Sequence, residues 1–64
     1  MGLSREEITK NALKNKYGEE FNVYEIESDG PTWNATVSPV NNPDVLFEVS
    51  LNADRTISWD DYYH

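Results

Sequence analysis

Cysteine is absent from this chain of 64 residues, and the only histidine is the last residue, His64. Without cysteine the chain has neither disulfides nor a thiolate zinc site, so a hydrophobic core alone must stabilise the fold. A domain this small buries roughly 60% of the surface of its unfolded chain and reaches a stability of at most about 5 kcal/mol. Nucleophilic catalysis needs a base close to the nucleophile. We therefore predict one small domain, residues 1–64, that is not an enzyme.

Positive charge is also scarce, with 5 Lys and Arg residues against 12 Asp and Glu residues and a net charge of -7. Residues 1–16 contain four of the cations and two acids, whereas residues 17–64 contain Arg55 and ten acids. An acidic surface repels phosphate backbones, so we predict that the protein does not bind nucleic acid. The acidic surface either serves solubility alone or attracts a basic partner or cations.

Long hydrophobic runs are missing too. No run of 18 apolar residues occurs in the chain, so we predict no direct membrane insertion by this segment. The first four residues are too few and too polar for a signal peptide.

The N-terminal part carries the signals of one helix. Ser4 and Glu7 have the spacing of a capping box, and Gly18 suits the left-handed residue that ends a helix. These signals predict a helix over residues 5–17. Its buried stripe is predicted to contain Ile8, Ala12, Leu13 and Tyr17, with Thr9 and Lys16 in the middle of that face.

After Gly18 the apolar residues alternate with polar ones, which predicts strands at residues 21–27, 32–38, 45–51 and 56–59. The phase changes between Val23 and Tyr24, which indicates either a β-bulge or a strand with two partly covered faces. We expect an α+β fold, with one N-terminal helix packed on an antiparallel sheet of three or four strands. The predicted core contains Ile8, Ala12, Leu13, Val23, Ile26, Trp33, Ala35, Val37, Val45, Phe47, Val49, Leu51, Ile57 and Trp59.

Acidic residues near the end of the chain offer oxygen ligands, but no complete metal motif. A loop starting at Asn52 lacks the glycine and the glutamate that an EF-hand places at its sixth and twelfth positions. Asp54 is therefore interpreted as a turn residue. Asp60, Asp61 and His64 form only a partial shell for a divalent ion. We predict no metal and no cofactor.

The segment Trp59-Asp60-Asp61-Tyr62-Tyr63 is the candidate site for binding a protein partner. Aromatic side chains offer a large contact area at low entropic cost, and the acids select a basic partner. The alternative interpretation is structural. In that case Trp59 closes the core under the helix, and Tyr62 and Tyr63 cover a sheet edge or a helix end.

Four short motifs occur along the chain: the stretch from Tyr17 to Val23, Asn42-Pro43-Asp44, Phe47-Glu48-Val49, and the acids at 60 and 61 followed by two tyrosines. Together they resemble motifs of small uncharacterised domains from Gram-positive bacteria and their mobile elements. The order of elements and the final hairpin also resemble a PepSY-type unit, a family associated with inhibition or regulation of extracellular proteases. The resemblance to the Gram-positive domains covers residues 5–63 and implies an extracytoplasmic or cell-surface location, whereas without it a cytoplasmic location is expected.

Two functions follow as expectations. The first is a noncatalytic protein-interaction domain, the extracytoplasmic part of an anchored bacterial protein, that uses its acidic sheet or its C-terminal aromatic segment. The second is an acidic inhibitor or immunity-type protein that blocks a basic site on an enzyme or toxin. Both functions require a protein partner, whose identity the sequence does not specify.

Overall fold

A computed structural model describes residues 2–62, which form one helix and one sheet of four strands. The sheet is antiparallel, and its strands lie side by side in chain order. The predicted α+β fold is confirmed. The elements are the helix α1 (Arg5–Tyr17) and the strands β1 (Phe21–Asp29), β2 (Thr32–Pro39), β3 (Phe47–Leu51) and β4 (Ile57–Asp60).

Local signals set both ends of α1. The hydroxyl of Ser4 accepts a hydrogen bond from the backbone N–H of Glu7 at 3.2 Å, as the N-cap of a helix does. Gly18 adopts a left-handed φ of 72°, and its N–H donates to the carbonyl of Lys14 at 2.7 Å. The predicted bounds of the helix are therefore confirmed.

The core lies between α1 and one face of the sheet. Polar Thr9 is fully buried there, and the indole N–H of Trp33 donates to its hydroxyl at 2.9 Å. The Thr9 hydroxyl in turn donates to the carbonyl of Arg5 at 2.7 Å, so the buried polar atoms are satisfied. The buried hydrophobic residues are Ile8, Leu13, Phe21, Trp33, Ala35, Val37, Phe47, Val49 and Leu51.

A β-bulge in β1 explains the change of phase. Val23 lies opposite Val37, but the next paired residue, Glu25, lies opposite Thr36, which leaves Tyr24 as the extra residue. Of the two interpretations of this strand, the bulge is the observed one. Beyond it the alternation is reversed, because Ile26 now shares the core face of the sheet with its partner Ala35.

A second bulge, in β4, corrects one prediction. Ile57 lies opposite Leu51 and Trp59 opposite Ser50, so that Ser58 is the extra residue. Ile57 keeps the core face, but Trp59 is turned to the other side of the sheet and is 49% exposed. The prediction that Trp59 belongs to the core is therefore wrong, because it assumed an unbroken alternation from Ile57.

The start of β3 also differs from the prediction. The backbone N–H of Val45 donates to the carbonyl of Asn42 in a turn, so Val45 precedes the strand instead of opening it. Val45 is half-buried and lies outside the core cluster. Phe21, which was absent from the predicted core, is buried and packs edge-on against Phe47 with 5.8 Å between ring centroids.

Candidate functional site

The side of the sheet that faces away from α1 is the candidate site, and we call it the outer face. Cross-strand pairing places its residues in rows, since directly opposed residues point to the same side of a sheet. One row contains Glu25, Thr36 and Glu48, and the next contains Glu27, Asn34, Ser50 and Trp59. The full set is Asn22, Tyr24, Glu25, Glu27, Asp29, Thr32, Asn34, Thr36, Ser38, Glu48, Ser50, Trp59 and Asp61.

Two members of the outer face are placed by individual hydrogen bonds. The backbone N–H of Asp61 donates to the carbonyl of Glu48 at 2.9 Å, which continues the pairing of β4 with β3 for one more residue. The hydroxyl of Tyr24 lies 2.8 Å from that of Ser38, so the bulged residue lies over β2 on this side. Asp61 and Tyr24 thus mark opposite sides of the outer face.

The electrostatics of the outer face are one-sided. Its charged residues are Glu25, Glu27, Asp29, Glu48 and Asp61, all exposed. Lys and Arg are absent from it. Over residues 2–62, none of these five carboxylates takes part in an ion pair.

The cations of α1 are engaged elsewhere. Lys10 pairs with Glu6 at 3.1 Å and Lys14 with Glu20 at 3.2 Å. The guanidinium of Arg5 donates to the carbonyl of Gly30 at 3.1 Å and to the hydroxyl of Ser28, and it lies over the ring of Trp33. Because α1 covers the opposite face of the sheet, its positive charge leaves the outer face uncompensated.

The predicted binding segment is divided between the two faces of the sheet. Trp59 and Asp61 lie on the outer face, where both are exposed. Asp60 and Tyr62 point toward the helix side instead. Tyr63 lies outside the described residues.

Asp60 holds the end of the helix against the last strand. Its carboxylate, only 3% exposed, accepts from the Lys16 ammonium at 2.5 Å, the Tyr17 hydroxyl at 2.6 Å and the backbone N–H of Tyr62 at 3.1 Å. Burial by itself would raise the pKa of Asp60, but the hydrogen bonds from Lys16, Tyr17 and Tyr62 outweigh it and lower that pKa. The same hydrogen bond from Lys16 raises the pKa of the lysine. This arrangement stabilises the fold.

Tyr62 completes a group of aromatic rings. It stacks on Phe47 with 4.6 Å between centroids and meets Tyr17 and Phe21 edge-on at 4.9 and 5.5 Å. Its hydroxyl donates to the carboxylate of Glu19 at 3.0 Å. Burial and then this hydrogen bond raise the pKa of the Tyr62 hydroxyl. Tyr62 therefore packs against the end of the core, next to the last turn of α1.

The sequence predicts binding by the acidic sheet as a whole or by the C-terminal aromatic segment, but Trp59 and Asp61 are the only outer-face residues that it names as a site. It does not single out the acids of β1. A signal for them exists, because Glu25 and Glu27 flank Ile26 at alternating positions once the phase change at Tyr24 is accepted as a bulge. Glu48 alternates in the same way with Phe47 and Val49.

The described residues offer little for other chemistry. Within residues 2–62, no group of three or more His, Cys, Asp or Glu side chains could hold a metal ion. Asp54 accepts from the backbone N–H and the hydroxyl of Thr56, as expected of a turn residue, and these two bonds lower its pKa. His64 lies outside the described part of the chain. No helix in that part is long and apolar enough to cross a bilayer.

Comparisons with known proteins found no relative of this chain. No protein family matches the chain, and no curated protein or solved structure is significantly similar to it. The resemblance to a PepSY-type unit and to domains of Gram-positive bacteria therefore stays a prediction.

Proposed function

We propose that this protein is a noncatalytic interaction domain whose outer face binds the basic surface of another protein. The observation that carries the proposal is the set of five exposed carboxylates on one sheet face without a single cation. In the interior of the fold, by contrast, the acid Asp60 has its own lysine. Unpaired charges of one sign on one surface create a field that steers an oppositely charged partner and raises its association rate.

Two aromatic side chains supply the contact area that charge alone lacks. Trp59 is 49% exposed and Tyr24 54% exposed, and they belong to the two edge strands, β4 and β1. The distance across the sheet is roughly 14 Å, which is three strand spacings of about 4.8 Å. Aromatic residues dominate the energetics of many protein interfaces. Between them the polar residues of β2, such as Asn34, can form hydrogen bonds to the partner.

Capture of the partner from a lysate of the source cells tests the proposal with two matched variants. The outer-face variant combines Glu25→Gln, Glu27→Gln, Glu48→Gln and Trp59→Ala. The control variant removes three carboxylates elsewhere, with Glu6→Gln, Glu20→Gln and Asp44→Asn. We expect the wild type and the control to recover the same basic protein, and the outer-face variant to recover at least tenfold less. The affinity for the purified partner, measured by calorimetry, should fall with added salt.

Equal recovery by the two folded variants would contradict the proposal. The folding of each variant is checked first by its thermal melt. Since all the replaced side chains are exposed, each single replacement is expected to change the free energy of unfolding by less than about 1 kcal/mol.

One observation favours a second candidate, an acidic inhibitor or immunity-type protein. Glu25, Glu27 and Asp29 stand at every second position of β1, so their carboxylates repeat at about 7 Å along the strand. A regular row of negative charges resembles the charge pattern of a nucleic-acid backbone. Such a row suits the basic site of a nuclease or another toxin that binds polyanions.

The activity of the captured partner separates the two candidates. If the partner is an enzyme, its rate is measured with and without this protein, and with the variant Glu25→Gln, Glu27→Gln and Asp29→Asn. Inhibition that this variant loses supports the inhibitor. A partner that is bound at full activity supports the interaction domain. Fractionation of the source cells, followed by detection with an antibody, tests the extracytoplasmic location that the resemblance implies.

A further inference from the structure

A groove runs between α1 and the turn that joins β3 to β4, on the side of the sheet opposite the outer face. Its larger part has a volume of about 400 Å³ and is lined by Ala12, Asn15, Lys16, Arg55, Thr56 and Ile57. A second part of about 170 Å³ shares Ala12, Asn15 and Arg55 with the first and continues to Leu3 and Ile8. The volume lies at the low end of the range for small-molecule sites, roughly 300 to 1,000 Å³.

Half-buried apolar side chains form the floor of the groove. Ala12 and Ile57 both pack against the core cluster but keep part of their surface open to solvent. The helix packs chiefly against β1, at the other edge of the sheet, which leaves the β4 side less covered. A ligand with an apolar body can therefore bury additional hydrophobic surface here.

The charge of the groove is opposite to that of the rest of the protein. Its two charged lining residues are Lys16 and Arg55, and no acid lines either part. The ammonium of Lys16 is held by Asp60. The guanidinium of Arg55 has no hydrogen bond or ion pair with any residue between 2 and 62, so it is available to an anion.

The backbone of Arg55 is a second, independent observation. It is the one residue other than glycine with a positive φ, 72°, among the described residues. Glycine or asparagine adopts this conformation at lower cost than arginine. Strained residues of this kind concentrate at functional sites. The chain thus places an unpaired cation at the rim of the groove in spite of a backbone cost.

We propose that the groove binds an amphipathic monocarboxylate. The alkyl or aromatic body of the ligand lies on Ala12 and Ile57, and its carboxylate is bound by the guanidinium of Arg55, which can donate two parallel hydrogen bonds. This site is independent of the outer face, since the two lie on opposite sides of the sheet.

Amide NMR titration of the full chain tests the proposal with decanoate and with indole-3-acetate, which distinguish an alkyl from an aromatic ligand. The neutral control ligand is 1-decanol. We expect chemical shift changes that saturate in the submillimolar to millimolar range and that concentrate at Ala12, Asn15 and Ile57. Decanoate or indole-3-acetate should bind, and 1-decanol should bind more weakly.

Three variants make the test specific. Arg55→Gly removes the cation and suits the positive φ, so the variant is expected to fold at least as well as the wild type. Its dissociation constant for the carboxylate should rise about three- to fivefold, as expected for one solvent-exposed charge pair. Lys10→Gln makes the same change of net charge outside the groove and should bind like the wild type. Arg55→Asn, which also tolerates this φ, repeats the test.

Three results would overturn the proposal. The first is that neither of the two carboxylates causes saturable shifts at the groove residues. The second is equal affinity of Arg55→Gly and Lys10→Gln. The third is binding of 1-decanol as tightly as decanoate, because it would make the carboxylate and therefore Arg55 irrelevant.

Discussion

At the scale of single residues, the two tryptophans have opposite environments. Trp33 is 4% exposed and Trp59 is 49% exposed, although both stand in strands with alternating patterns. Trp33 also donates its indole N–H to a buried hydroxyl, which fixes the ring under the helix. The chemistry of the side chain is the same in both cases, so the environment alone assigns one residue to the core and the other to the candidate site.

This difference predicts the effect of truncating each ring. Trp33→Ala should lower the free energy of unfolding by about 3 to 5 kcal/mol, since it leaves a large cavity. That loss is comparable with the whole stability of a domain of this size. Trp59→Ala should lower it by less than about 1 kcal/mol. Thermal and urea unfolding measure both values, and similar melts for the two variants would refute the assigned environments.

The hydroxyl of Thr9 provides a second test at this scale. Thr9→Val keeps the shape of the side chain but leaves the indole N–H of Trp33 without its acceptor. We expect a loss of about 1 to 3 kcal/mol in the free energy of unfolding. In the background Trp33→Phe, which has no N–H to satisfy, the same replacement should cost about 1 kcal/mol less. An identical cost in the two backgrounds would show that the hydrogen bond contributes nothing.

At the scale of elements, two bulges decide which side chains reach each face. The extra residue Tyr24 turns Glu25 and Glu27 outward on β1, and the extra residue Ser58 turns Trp59 outward and Asp60 inward on β4. Each bulge reverses the alternation of its own strand only. Without them the outer face would lose its tryptophan, and Lys16 would lose its carboxylate partner.

The helix depends on the glycine that caps its C-terminal end, Gly18, in a way that can be measured. Gly18→Ala should lower the free energy of unfolding by about 1 kcal/mol, because alanine is strained at a φ of 72°. The matched control is Asn15→Ala, an exposed position inside the same helix. It should raise the stability by a few tenths of a kcal/mol through helix propensity. Equal effects of the two variants would contradict the role of Gly18 as the cap.

At the scale of the whole molecule, one buried carboxylate joins the end of the helix to the last strand. Asp60 follows Lys16 by 44 positions, and its contacts join the last turn of α1 to β4. The outer face, by contrast, has no ion pair within the described part of the protein. The four cations of α1 thus make contacts within the fold, whereas five of the acids lie on the surface that we propose for binding.

The contacts of Asp60 with Lys16 and Tyr17, which we call the clamp at Asp60, predict how stability depends on pH. The pKa of Asp60 is lowered from its ordinary value of 3.8 in the folded state, so its contribution is present above pH 3.8 and is lost as the pH falls below that value. The pKa of Lys16 is raised from 10.5, chiefly by the hydrogen bond to Asp60, and that of Tyr17 from 10.0, by burial and then by the same carboxylate. The contribution of Tyr17 is present below pH 10.0 and that of Lys16 below pH 10.5, and each is lost as the pH rises above that value.

Urea unfolding between pH 2.5 and 11 measures the loss of stability in both acid and alkaline solution. Asp60→Asn should lower the free energy of unfolding at pH 7 by about 1 to 3 kcal/mol and flatten the loss of stability in acid. Asp44→Asn, a charge-matched replacement in an exposed loop, should follow the wild-type profile. A profile of Asp60→Asn parallel to that of the wild type would show that other carboxylates cause the acid dependence.

The sequence by itself determined the helix, the strand order in the chain and most of the core, because caps and periodicity act between neighbouring residues. The predicted and observed helix have the same bounds, and Phe47, Val49 and Leu51 lie where their alternation puts them. The change of phase at Tyr24 was visible as well.

Only the tertiary structure decided the rest. The bulge at Ser58 exists because β4 pairs with β3, so the outward position of Trp59 and the clamp at Asp60 depend on a partner strand. The groove at Arg55 likewise forms only when α1 lies beside the β3–β4 turn. Its lining residues on these two elements are more than 30 positions apart along the chain. No local pattern encodes contacts of that range, and packing between elements alone selects them.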